Sequence, residues 1–273
     1  MVKKNSKKII AILLMVCMAF TFSGCTKEKS SADEAMTKVE KIKKSGKLVL
    51  GTAADYPPYE FHKEIDGKDT IVGFDIEIAK AIAKELDVEL EIKDMKFDGL
   101  LAALVANKID FIIAGMVPTE ERAKSVDFSK TYYQAEQKVL IKKDNVDKFK
   151  TKDDFKGVKI GAQKASVQEE IAKGIEGADV KSLSKLTDLV LELNNDKVEA
   201  VILVGPVADA YANSNPDLYV PDVSFGQEDG VAIAVNKGNE EFVKAVNEAL
   251  DKLISEGKID KFIAEATKLA EEE

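Results

Sequence analysis

Ile109-Asp110-Phe111-Ile112-Ile113, followed by Ala114-Gly115-Met116-Val117-Pro118-Thr119-Glu120-Glu121-Arg122, is the stretch from which the fold is read. The first run is rich in β-branched and aromatic residues and too short for most helices, which predicts a buried strand. Gly115 lets the backbone turn without a Cβ clash, and Pro118 prevents the strand from continuing. Thr119 is then the N-cap of a short helical turn whose first N–H groups have no partner within the helix. Arg122 stands three residues after that cap, where a capping box wants Glu or Gln. A cation there opposes the helix dipole by about 0.3–1 kcal/mol, so another interaction must favour it. Two-point binding of a ligand carboxylate by Arg122, beside the free N–H groups of residues 115–119, is the chemistry that fits. The competing reading is a surface arginine paired with Glu120 or Glu121.

Working back from this stretch, Phe97, Leu100, Leu101, Leu104 and Val105 mark a helix, and Val88 to Ile92 alternates like a half-buried strand. Before them, Asp75 is expected to cap an amphipathic helix with Ile78, Ala79, Ile82, Ala83 and Leu86 on its apolar stripe. Glu60 to Val72 reads as a hairpin turning at Asp66-Gly67. Lys47 to Thr52 reads as a strand, left by a proline-held loop, Ala53-Ala54-Asp55-Tyr56-Pro57-Pro58-Tyr59. Ser31-Ala32-Asp33-Glu34 matches a capping box and opens a helix carrying Met36, Val39 and Ile42, which Ser45-Gly46 ends. Strands alternating with helices predict a mainly parallel sheet with helices on its faces. Ligands bind beyond the carboxyl ends of such strands, so loops 53–59 and 114–119 should share one rim.

Working forward, Leu186, Leu189, Val190 and Leu193 repeat Phe97, Leu100, Leu101 and Leu104 at an offset of 89 positions. The correspondence continues from Asn107-Lys108-Ile109-Asp110-Phe111-Ile112 to Asp196-Lys197-Val198-Glu199-Ala200-Val201, implying two lobes of the same α/β kind. In the second lobe, Val158 to Ala162 reads as a strand and Ser166 caps the helix that follows, a second anion-binding candidate. Gly205-Pro206 ends a strand over 198–204 and begins a helix; a strand at 231–235 and two amphipathic helices complete the chain.

Composition narrows the function. The 273 residues are 45% hydrophobic, enough for one or two cored domains. Lys3, Lys4, Lys7 and Lys8 precede an apolar run from Ile9 to Phe22, the pattern of a secretory signal and short for a membrane span. Phe22-Ser23-Gly24-Cys25 resembles a lipobox, with cleavage before Cys25 and acylation of its thiol by a palmitate-type chain; the alternative is a plain signal peptide followed by a stray thiol. Removing residues 1–24 takes four lysines and deepens the formal charge from −9 to −13, which argues against nucleic acid as a partner. His62 is the only histidine, so a Ser-His-Asp triad and multi-histidine metal sites are excluded, and no metal or cofactor is expected.

Gly51-Thr52, Tyr56-Pro57-Pro58-Tyr59-Glu60-Phe61, Gly73-Phe74-Asp75, Ile109-Asp110 with Ala114-Gly115, Thr119-Glu120-Glu121-Arg122 and Val126-Asp127-Phe128-Ser129 together resemble the extracytoplasmic solute-binding proteins of polar amino-acid ABC transporters, family 3. The similarity runs from Lys47 to about Lys268. It implies a type II periplasmic-binding-protein-like fold: two α/β lobes, each a mixed, mainly parallel sheet flanked by helices, joined by two hinge strands. The implied divisions are a signal peptide (1–24), a lipidated tether and N-terminal helix (25–45), lobe 1 (46–131 plus 232–268), the hinge (132–136 and 227–231) and lobe 2 (137–226).

Carried onto this sequence, the resemblance gives Arg122 the ligand carboxylate with help from the Val117 N–H, and gives the Gly115 carbonyl the α-amine. Tyr56 and Phe97 would form an aromatic wall, and Gln163, Ser166, Val167 and Gln168 would close from the second lobe. Val204 stands where many relatives place an Asp for the α-ammonium, and Ala53 replaces another acid, so Asp55 is expected to take the cation. Val117, Leu203 and Val204 favour a neutral or partly apolar amino acid. The implied function is a monomeric, lipid-anchored binding protein on the outer face of the bacterial membrane, delivering an amino acid to ABC permease and ATPase subunits by hinge closure. The rivals are a cyclohexadienyl dehydratase-like enzyme, for which no catalytic acid stands out because Glu60, Glu199 and Glu228 all read as parts of solvated faces, and an adhesin or sensor with weak ligand binding.

Overall fold

The computed structural model describes residues 36–272; the expected signal peptide, Cys25 and the Ser31 capping box lie outside the described residues. The first described helix, α1 (Lys38–Ser45), is capped by Thr37 through a reciprocal box with Glu40. Its Val39 and Ile42 are buried. There follow β1 (Lys47–Thr52), β2 (Asp55–Tyr56), β3 (Glu60–Ile65), β4 (Lys68–Val72), α2 (Phe74–Glu85) and β5 (Glu89–Asp94). A turn of 3₁₀ helix at Phe97–Gly99 runs into α3 (Leu100–Val105), then β6 (Phe111–Ile112), α4 (Glu120–Ala123) and β7 (Val126–Tyr133). The middle of the chain forms β8 (Glu136–Lys142), β9 (Lys159–Gln163), α5 (Val167–Gly174), β10 (Asp179–Leu183), α6 (Leu186–Asn194) and β11 (Ala200–Val204). Last come α7 (Gly205–Ser214), β12 (Leu218–Tyr219), β13 (Gly226–Gln227), β14 (Val231–Asn236), α8 (Glu240–Ser255) and α9 (Lys258–Glu271).

Among the described residues two large sheets organise these elements, and β2, β3 and β4 form a smaller third. The first has the order β5-β1-β6-β14-β7, and the second runs β10-β9-β11-β8-β12. The internal repeat is visible in both. In each, the first strand of the unit lies between two parallel neighbours, β1 between β5 and β6, and β9 between β10 and β11. An antiparallel strand then extends each sheet, β14 in the first and β8 in the second. The repeated Asn107 and Asp196 share a left-handed backbone, φ 54° and 57°, at the equivalent turn. β14 comes from far along the chain, and its insertion between β6 and β7 brings α8 against β7 and α2.

Between the sheets the chain crosses twice, at residues 134–135 and 228–230. The crossings are tied together: the Glu228 N–H donates to the Ala135 carbonyl at 3.0 Å, and the Ala135 N–H donates to Glu228 Oε1 at 3.0 Å.

The expected hairpin forms between β3 and β4, with Asp66 (φ 52°) and Gly67 (φ 73°) supplying the two left-handed residues of its turn. Gly73 ends the hairpin with φ 129°, and a Cβ there would lie 2.1 Å from the Tyr59 carbonyl oxygen, so glycine is required. Gly73 also occupies the cap position of α2, and the expectation that Asp75 caps this helix is not met. Asp75 instead lies in its first turn, fully buried and turned inward. No helix among the described residues is long and apolar enough to cross a membrane.

Candidate functional site

The opening stretch builds one wall of a narrow cleft between the two sheets. Thr119 accepts from the Arg122 N–H at 3.3 Å, as a cap should, and α4 lasts one turn. The Arg122 side chain runs inward and is only 8% exposed, unpaired with Glu120 or Glu121; Glu121 instead meets Lys124. Its Nη1 donates to the Val117 carbonyl at 2.5 Å and its Nη2 to the Ala165 carbonyl, across the cleft, at 2.7 Å. The guanidinium carbon lies 5.5 Å from the centre of the Phe97 ring, within cation–π range. Two carbonyls do not exhaust five N–H donors. Burial lowers the Arg122 pKa to about 10, which leaves it cationic at neutral pH.

Facing it is the start of α5. Ser166 caps this helix, accepting from the Glu169 N–H at 3.2 Å while its hydroxyl donates to the Gln163 carbonyl at 2.6 Å. Gln168 Nε2 donates to Gln137 Oε1 at 3.0 Å, which holds the side chain against β8. Tyr56, Phe97, Gly115, Arg122, Gln163, Ser166, Val167 and Gln168 line this one cleft, together with Ala53, Ala114 and Glu60.

Three residues singled out from the sequence fall outside that lining. Val117 contributes its carbonyl to Arg122, whereas the expectation concerned its N–H. Val204 is a buried residue at the end of β11, within backbone hydrogen-bonding reach of the Tyr56 hydroxyl. Asp55 requires the largest correction. Its Oδ2 accepts from the Leu186 N–H at 2.7 Å, and it borders a separate, wider cavity with His62, Asp94, Lys185 and Tyr211. The β2–β3 pairing explains the miss: Asp55 is opposite Phe61 and Tyr56 opposite Glu60, so neighbouring side chains leave β2 toward different cavities.

The acid that does line the cleft is Glu60, 1% exposed, whose Oε2 has no hydrogen-bond partner. From the sequence alone it reads as part of a solvated face. Strict alternation would bury one of Glu60 and Phe61, yet both are buried where β3 begins beneath α2. Its place within Tyr-Pro-Pro-Tyr-Glu-Phe was the only signal available. Beneath it, Asp75 accepts from the Gly115 N–H at 2.9 Å and from the Tyr132 hydroxyl at 2.8 Å. Burial raises the Asp75 pKa to about 6. Burial, and then the nearby Asp75 charge, push Glu60 well above the usual carboxylate range. Of the other two carboxylates read as solvated, Glu199 meets Lys148 at the surface and Glu228 is buried at the crossing.

Two α/β lobes joined by a double crossing, with a buried arginine and a buried glutamate in the cleft between them, define a two-lobed ligand-binding protein of the periplasmic-binding-protein type. Residues 48–266 match the model of the bacterial extracellular solute-binding proteins, family 3, and the chain belongs to that family. The arginine-binding extracellular protein ArtP of Bacillus subtilis (strain 168) is 36% identical over 261 residues, spanning 93% of this chain and 96% of ArtP. The L-cystine-binding protein TcyJ of Escherichia coli (strain K12) is 35% identical over 89% of this chain and 90% of its own length. Among solved structures, the substrate-binding protein AbpA from Streptococcus pneumoniae Canada MDR_19A, bound to L-arginine, superposes with a TM-score of 0.83 at 41% identity. That match covers 86% of this chain and 100% of AbpA.

Proposed function

We propose that this chain is the amino-acid-binding component of an ABC importer, and that its ligand carries a cationic group met by Glu60. The observation that carries this reading is the presence in one buried cleft of Arg122 and of Glu60, whose carboxyl group is hydrogen-bonded to Asp75 but keeps Oε2 without a partner. Arg122 and the N-terminus of α5 receive the ligand carboxylate, and Tyr56 and Phe97 flank the body of the ligand. Val117 and Val204 argued for a neutral ligand from the sequence, but their side chains do not line the cleft, whereas Glu60 does. The arginine-binding name of ArtP and the L-arginine bound to AbpA agree with a basic amino acid.

Closure is a hinge movement of lobe 1 (46–131 plus 232–268) against lobe 2 (137–226) about residues 132–136 and 227–231, driven by ligand contacts to both lobes. The protein works as a monomer held at the outer face of the membrane by acylated Cys25 and passes its ligand to permease and ATPase subunits. Support for the anchor is the lipobox-like Phe22-Ser23-Gly24-Cys25.

Calorimetric titration with a panel of amino acids tests the reading. L-Arginine, L-histidine or L-cystine should bind saturably, and at a hundredfold excess over Kd the ligand should add about 2.7 kcal/mol of stability. Turnover of prephenate or arogenate without amino-acid binding would establish the enzyme instead.

A further inference from the structure

The helix α6 begins in the second lobe without a cap of its own. Lys185 occupies its N-cap position and makes no side-chain cap bond. α5, in the same lobe, is capped locally by Ser166. The first N–H groups of an uncapped helix require outside acceptors. Asp55 is that acceptor, reaching from 131 positions earlier in the chain, with Oδ2 at 2.7 Å from the Leu186 nitrogen. The Thr187 N–H lies within reach of the same carboxyl group. A second clasp runs the other way: the Tyr211 hydroxyl on α7 donates to the Asp55 carbonyl at 2.8 Å.

These contacts are coupled to the cleft through the backbone. Asp55 and Tyr56 are the two residues of β2, and β2 is paired to β3 at Phe61 and Glu60. One short ribbon therefore carries Tyr56 and Glu60 on the side of the cleft and the clasp on the other. No ligand atom in the cleft is needed to form the Asp55 contacts, because Asp55 borders the other cavity.

We infer that Asp55 is a positioning residue for closure: it caps α6 across the lobes and holds the closed form together without touching the ligand. This deepens the binding-protein reading above and rests on it. The function of Asp55 is that of an acceptor, not of a counter-ion, so an asparagine should replace it. Its effect on affinity should be the same for ligands of different charge, because it acts on the lobes and not on the ligand.

The test compares Asp55→Ala, Asp55→Asn and Tyr211→Phe with the parent protein by amide hydrogen exchange and by titration with L-arginine. In the parent, the Leu186 and Thr187 amides should be protected, and L-arginine should increase that protection. Asp55→Ala should exchange at both amides at least about tenfold faster and bind L-arginine about tenfold more weakly, as expected when a buried N–H loses its acceptor. Tyr211→Phe should show a smaller loss in the same direction. Asp55→Asn should stay within about threefold of the parent in both readouts. If Asp55→Asn loses as much affinity as Asp55→Ala while the two amides stay protected, Asp55 is a ligand counter-ion and the inference is overturned. Equal exchange at Leu186 and Thr187 in parent and Asp55→Ala overturns it as well. Should L-arginine fail to bind the parent, the ligand assignment falls, while the exchange comparison without ligand still decides the clasp.

Discussion

Arg122, on the first lobe, donates through Nη2 to the Ala165 carbonyl of the second at 2.7 Å. The residue that reads as a ligand anchor thus also spans the gap that a hinge movement would open. Ala165 has a left-handed backbone, φ 64°, and immediately precedes the Ser166 cap, and its carbonyl is turned to the guanidinium. Replacing Arg122 by Ala removes both the carboxylate site and this interlobe bond. We expect a loss of about 2–5 kcal/mol in amino-acid binding, measured by calorimetry. Arg122→Lys should also bind more weakly than the parent, because an ammonium cannot reproduce the planar two-point geometry. Wild-type affinity in Arg122→Ala would refute the anchor role.

Binding should release a proton. Without ligand, burial and then the Asp75 charge push the Glu60 pKa well above the usual carboxylate range and favour its neutral form. The groups around it are Asp75 beneath, Asp55 and Asp94 beyond β2, the Tyr56 and Tyr132 phenols, and Arg122, which lines the same cleft. A cationic ligand group beside Glu60 favours its charged form and lowers its pKa. Affinity should therefore rise with pH until the empty-site pKa is passed, the bound form holding fewer protons than the free form. Titration in buffers of different ionisation enthalpy reads this directly. Glu60→Gln should abolish the proton release and weaken binding of L-arginine; unchanged release in that variant would place the titrating group elsewhere.

Much of this architecture could be read before any coordinates. The apolar stripe Ile78, Ala79, Ile82 and Ala83 fixes the buried face of α2, and the Asp66-Gly67 dipeptide fixes a turn only those residue types take easily. The repeat predicted two similar lobes because Leu186, Leu189, Val190 and Leu193 must find a core equivalent to that around Phe97 and Leu100. What could not be read was the fate of the acids. Asp75 and Glu60 look like solvated residues at helix and strand starts, and only tertiary packing turns them inward. Asp55 was placed on the correct loop and assigned to the wrong cavity, because a two-residue strand decides which way it faces. The insertion of β14 between β6 and β7 has no local signal, since a strand's own residues do not encode its neighbours.

The fold should be more stable in mild acid than in mild alkali. Burial raises Asp75 to about 6 and Glu228 to about 7, from ordinary values near 3.8 and 4.5. A carboxyl group whose folded pKa lies above its unfolded one takes up a proton on folding, so its penalty is relieved as pH falls through the folded value. The opposite group is represented by Glu199, held low by Lys148, and Asp154, held low by the Lys150 and Thr151 N–H groups; their contributions disappear in stronger acid. The urea midpoint should therefore increase between pH 8 and about pH 5.5 and fall again below about pH 4. A midpoint that rises steadily from pH 5.5 to 8 would contradict the buried-acid assignments.

Gly73 offers the sharpest test of the cleft's foundations. An added Cβ would meet the Tyr59 carbonyl oxygen at 2.1 Å, a backbone atom that has no rotamer to yield, at a φ of 129° that residues with side chains rarely adopt. The Asp75 and Phe74 N–H groups nearby donate to Tyr59 and Pro58, so displacing Tyr59 also disturbs the start of α2. Gly73→Ala should cost about 2 kcal/mol or more in stability, combining clash with backbone strain. Gly99→Ala is the control, since a Cβ there meets nothing within 4 Å and its φ is ordinary. Reduced chain freedom in the unfolded state should leave that variant neutral or more stable by up to about 1 kcal/mol. Thermal melts of the two variants should move apart, with Gly73→Ala melting lowest and binding L-arginine more weakly because Asp75 no longer meets Gly115 squarely. Equal melting temperatures would mean that the close packing of Gly73 on Tyr59 does not exist in solution.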